Sequence, residues 1–159
     1  MDVDIGLSGQ NREAVGQILN ALLADAHVLY VKTRKYHWNV VGPQFRSLHE
    51  LFEEHYKELA DDIDEIAERA RALGVKAHGT MAEFTRHARL EEDPGYPEAM
   101  TMVANLVGDH SAVIKQLRTD IDRCEDDYHD AGTADFLTGL MEKHEKATWM
   151  LRAYLEKQP

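Results

Sequence analysis

At 159 residues, 43% hydrophobic and 30% charged, the chain is long enough for one globular unit with its own core and too short for two comfortable ones. A net charge of −11, from 29 acidic and 18 basic side chains, attracts cations and repels phosphate backbones, which argues against nucleic-acid binding. No apolar run approaches the roughly 20 residues of a membrane span, the segment Met1 to Gln10 lacks the order of a signal peptide, and one cysteine, Cys124, allows no internal disulfide. A cytoplasmic location is expected, with no membrane partner.

Apolar spacing near the helical period predicts four long helices. The first covers about Asn11 to Val40, with Val15, Ile18, Leu19, Leu22, Leu23, Ala26 and Leu29 on one side, and Gly42-Pro43 breaks it. The second covers about Gln44 to Leu73 on Leu48, Leu51, Phe52, Leu59, Ile63 and Ile66, and Gly74 closes it. A short helix is expected from Thr80 to Ala88, followed by a loop over Glu91 to Pro97. The third covers about Glu98 to Cys124, and the fourth about Thr133 to Leu155. The predicted class is all-α: a four-helix bundle, residues 1–159 as one domain, with a short extra helix in the long connection between helices two and three.

Chemistry concentrates between His37 and Glu68. His37 falls at the end of the first helix, His49 and Glu53 share a face near the start of the second, and Asp64 and Glu68 share a face near its end. At about 100° per residue, Glu53, Asp64 and Glu68 lie roughly 40°, 60° and 100° around from His49, so all four point into one arc. Imidazole with carboxylate suits iron, manganese or zinc. His49 and Asp64 stand roughly 22 Å apart along one helix, too far to share an ion. If the two pairs hold one metal, a second copy must run antiparallel across a two-fold axis near Glu58 and Leu59. The intrabundle alternative usually needs Glu-x-x-His pairs, and no glutamate here has a histidine three positions later.

Lys35-Tyr36-His37-Trp38-Asn39, Gly42, Phe45, Leu48-His49, Phe52-Glu53 and Asp64-Glu65-Ile66-Ala67-Glu68-Arg69 resemble the signature of the Dps mini-ferritins. Ala72-Leu73-Gly74, Thr133-Ala134-Asp135, His144-Glu145-Lys146 and Trp149-Met150-Leu151-Arg152 extend the resemblance over nearly the whole chain. It implies a ferritin-like fold and a hollow shell of twelve subunits. The implied activity is ferroxidase chemistry: ferrous iron is oxidised with hydrogen peroxide, and ferric mineral is stored. His37, His49 and Glu53 of one subunit would meet Asp64 and Glu68 of its partner. Glu53 is a departure, since many members carry aspartate there.

By the same resemblance, Asp126, Asp130 and Asp135 are candidates for a ferrous-ion entry pore. They belong to a run that also holds Asp120, Asp122, Glu125 and Asp127. Trp38 and Trp149 read as core or interface residues. His27, His55, His87, His110 and His144 read as packing or surface histidines, and His78 as a candidate accessory zinc ligand. Family members that coat DNA do so through basic tails, whereas here the first basic residue is Arg12 and the sequence ends Glu156-Lys157-Gln158-Pro159. Direct DNA binding is not expected.

Overall fold

The computed structural model describes residues 3–156; Lys157-Gln158-Pro159 and the first two residues, on which part of the terminal reading falls, lie outside them. Five α-helices follow in order: α1 (Gly9–Asn39), α2 (Phe45–Ala72), α3 (Met81–His87), α4 (Ala99–Asp122) and α5 (Ala131–Arg152). There is no strand among the described residues. α1 packs chiefly on α2 and α4 on α5, which makes the expected four-helix bundle with α3 as the extra helix in the long crossover. The predicted helix ends hold to within about two residues, except that the fourth long helix stops three residues early at Arg152; the third ends differently from an ordinary helix. There the α-helix stops at Asp122 and a π-helical turn, Arg123–Asp127, continues it into the acidic run.

Local chemistry sets the ends. Ser8 caps α1 by accepting from the Asn11 N–H at 3.0 Å. Thr80 and Glu83 form a capping box at α3. α2 ends in a Schellman turn: Val75 N–H donates to Ala70 O at 3.1 Å and Gly74 N–H to Arg71 O at 2.9 Å, with Gly74 at φ +83°. That turn brings Val75 so close to α1 that a Cβ on Gly16 would stand 2.5 Å from Val75 Cγ2.

The apolar residues gather into two adjoining clusters. One holds Val15, Leu19, Leu22 and Leu23 of α1 with Ile66, Leu117, Leu137 and Leu140. The other holds Leu29, Tyr36, Leu48, Phe52, Leu106 and Leu151 and underlies the α1–α2 turn. Each such side chain contributes about 1.5–3 kcal/mol on burial. Contrary to the sequence expectation, α1 is long and apolar enough to cross a membrane, yet most of its apolar stretch is buried inside the bundle, as befits a core helix.

The crossover is tied down by polar contacts. Asp25, buried in α1, accepts from Arg89 N–H at 2.5 Å, Leu90 N–H at 3.2 Å and Arg89 Nε at 2.7 Å. Tyr36 donates its hydroxyl proton to Asp93. Lys32 pairs with Asp109 of α4 at 2.7 Å. These contacts return the chain to the far end of α1 so that α4 can start there.

Candidate metal centre

Residues 40–44 turn the chain back sharply, and Phe45 N–H donates to Gly42 O at 3.0 Å as α2 begins. His37, in the last turn of α1, thereby faces His49, in the second turn of α2. Their bonds are reciprocal: His37 Nδ1–H donates to the His49 carbonyl at 2.7 Å, and His49 Nδ1–H donates to the His37 carbonyl at 2.8 Å. A carbonyl only accepts, so both rings must carry their proton on Nδ1. Both Nε2 lone pairs are left for an ion, the arrangement by which a backbone carbonyl orients a metal-binding imidazole.

The rings stack with centroids 3.8 Å apart and planes at 18°. Phe45 stacks on His49 at 5.1 Å, and Tyr56 meets His37 edge-on at 5.2 Å. His37 is buried, while His49 and Glu53 are half-buried. One ligand atom from each of the three lies within 4.8 Å of the other two. Glu53 accepts from Lys57 Nζ at 2.5 Å, and this bond above all, with the ammonium charge, holds the Glu53 carboxyl below its ordinary value. The carboxylate is therefore charged and ready to accept a cation in place of the lysine.

Three of the five predicted ligands thus meet within one chain. Asp64 and Glu68 do not join them: both lie exposed toward the other end of α2, and neither makes an ion pair or side-chain hydrogen bond among the described residues. The α1–α2 turn also exposes Trp38 (64%), Val41 (73%) and Phe45 (47%), a run of apolar surface beside the three ligands.

Residues 16–159 match the ferritin-like domain family. The chain is 38% identical over 147 residues to DNA protection during starvation protein 2 of Bacillus anthracis, covering 92% of this chain and 99% of that protein. It belongs to the Dps family. A low temperature-induced protein of Nostoc sp. is 55% identical over 158 residues, covering 99% of this chain and 88% of the relative. The Dps protein of Vibrio cholerae, described as a member of a broad superfamily of ferritin-like diiron-carboxylate proteins, superposes with a TM-score of 0.92 at 31% identity, covering 98% of each chain.

In this Dps chain the acidic run divides. Asp126 and Asp135 are exposed, as are Asp122, Glu125 and Asp127. Asp130 is buried and occupied: it caps α5 through Thr133 N–H at 3.0 Å, accepts from the Thr133 hydroxyl at 2.6 Å and pairs with Arg69 at 3.1 Å. Within the subunit Asp130 shapes the turn that presents its neighbours. Asp120 is likewise buried, 3.6 Å from both Arg89 and Arg123. His78 lies beside His87 with rings tilted and centroids 4.4 Å apart, and His27 stacks on Phe84 at 3.6 Å. Trp149, like Trp38, is exposed and belongs to no core cluster.

Sequence reasoning left His55, His110 and His144 as ordinary histidines, yet α2, α4 and α5 bring them together inside the bundle. Spacings of 55 and 34 residues carry no motif, so only the packing of three helices could reveal the group.

Proposed function

We propose that this Dps chain is a ferroxidase and iron-storage subunit that oxidises ferrous iron at a site shared between two antiparallel copies and keeps the ferric product as mineral. The observation that carries the reading is the reciprocal His37–His49 lock, which leaves two Nε2 atoms free beside the Glu53 carboxylate. Two imidazoles and one carboxylate make half a site, and Asp64 and Glu68 of a second copy complete it. Such a set suits iron and also accepts zinc or manganese. The exposed Trp38, Val41 and Phe45 supply apolar surface for the pairing.

Ferrous iron is the substrate. The free imidazole nitrogens bind it, the carboxylates offset its growing charge, and the stacked rings of Phe45 and His49 keep the ligands in place. With hydrogen peroxide as oxidant, two ferrous ions each give one electron, the O–O bond breaks and, with two protons, two waters form. Asp126 and Asp135 line the entry route for ferrous ions, with Asp130 fixing the turn that carries them. The unit is a single domain over residues 1–159, assembles as dimers within a shell of twelve, and works in the cytoplasm. DNA coating is not part of the proposal, because a charge of −11 per chain opposes contact with phosphates.

His49→Ala and Asp64→Ala chains should each oxidise ferrous iron at background rate. Co-refolded, random pairing makes half the dimers mixed with one intact site of two, restoring about a quarter of wild-type activity. If subunits are shown to exchange and no activity returns, the shared site is wrong.

A further inference from the structure

The interior histidines lie in the middle of the bundle, on the side of α2 away from Glu53. His55, His110 and His144 are 4%, 2% and 6% exposed. His110 Nδ1 stands 2.8 Å from His144 Nδ1, and the His55 and His110 rings meet edge-on with centroids 6.1 Å apart. Both ring nitrogens of His55 and Nε2 of His110 are buried without a hydrogen-bond partner. A neutral imidazole needs an acceptor opposite its N–H and a donor opposite its bare nitrogen, and these three buried atoms have neither. A cavity of about 10 Å³ lies among them, about the space of one water or one ion. Glu58, Asp62 and Lys143 complete its lining.

We propose that this cluster is a second metal site, inside each bundle, for an imidazole-preferring divalent cation of the zinc class. His55 and His110 Nε2 are the direct ligands. His144 is a positioning residue: with Nε2 on the ion, His110 carries its proton on Nδ1 and donates it to His144 Nδ1. Two imidazoles on one tetrahedral zinc keep their centroids roughly 5 Å apart, so the 6.1 Å pair has to close by about 1 Å.

Charge favours the ion. Asp62 faces the cavity with Lys143 on it at 2.5 Å, Glu65 lies 3.7 Å from the same ammonium, and Glu58 is at the mouth. Three carboxylates against one lysine leave a negative field around the cavity. The site lacks the Glu-x-x-His pairs of an intrabundle di-iron centre, and imidazole donors suit zinc among the divalent cations.

The test uses full-length chains carrying His37→Ala and His49→Ala, so the outcome does not depend on the surface site proposed above. After loading with zinc and dialysis, this parent should keep one zinc per subunit, and cobalt(II) in its place should show the strong visible bands of a low-coordinate site. Adding His55→Gln or His110→Gln, with helicity checked by circular dichroism, should remove both signals. His144→Gln should keep the ion with roughly 10- to 100-fold weaker affinity and shifted cobalt bands. A parent that keeps no zinc, or an interior variant that keeps as much as the parent, overturns the site. If both ligand variants misfold, the parent's cobalt spectrum decides, and weak six-coordinate bands alone overturn it. Unchanged affinity and spectrum in His144→Gln remove its positioning role.

Discussion

The tautomers of His37 and His49 are set by nothing more than two backbone carbonyls. Each ring reads the other's main chain, so moving either helix end disturbs both ligands together. Cys124 shows environment acting in the opposite sense. It is fully buried, and desolvation, with Asp130 and Asp120 nearby, pushes its thiol up to about 12. At pH 8 that leaves on the order of a thousandfold less thiolate than an ordinary cysteine near 8.5 would carry. A thiol-specific disulfide reagent should therefore find no reactive group in the native protein and one per chain after denaturation. Rapid native labelling would show that the π-helical turn opens readily.

Among the elements, α2 carries the most. Its start presents His49 and Glu53, its middle turns His55 inward, and its end presents Asp64 and Glu68, so its register against α1 decides whether His37 meets His49 and Glu53. That register is held at the far end by Val75 against Gly16. Gly16→Ala forces a Cβ into the branched carbons of Val75, and overpacking of this kind costs about 1–3 kcal/mol. Urea unfolding at fixed protein concentration should shift by that amount, and Gly16→Ala with Val75→Ala should recover part of the loss. A neutral Gly16→Ala, or no recovery in the double variant, would mean the contact does not hold the register.

For the whole molecule, the balance of charge and exposed apolar surface matters most. Acidic side chains of the π-helical turn and the start of α5 form a cation-attracting patch well away from the α1–α2 turn, where the exposed apolar residues collect. Asp126→Asn with Asp135→Asn should slow ferrous uptake by the assembled protein about tenfold at low ionic strength, since focused fields raise encounter rates by at least that factor. The difference should vanish near 1 M salt, where screening acts within about 3 Å. Stopped-flow uptake that is the same in both proteins at every salt concentration would leave the patch as ordinary solvated surface. Oxidation of ferrous iron that has already reached the site should not change, because His37, His49 and Glu53 are untouched.

Helical order, the break at Gly42-Pro43, the stop at Gly74 and the extra helix in the crossover were all legible in the sequence, because apolar period, glycine and capping residues act within a few positions of themselves. His37, His49 and Glu53 were grouped by the family resemblance, and the short turn between α1 and α2 is what brings them together in space. The burial of Asp130 was not legible: its cap on Thr133 is local, but its partner Arg69 lies 61 residues away and reaches it only when α2 packs against the start of α5. The same holds for His55, His110 and His144. Each sits at an unremarkable helical position, and proximity came only when α2, α4 and α5 closed around one cavity, because side chains far apart in sequence acquire a common environment only through tertiary packing.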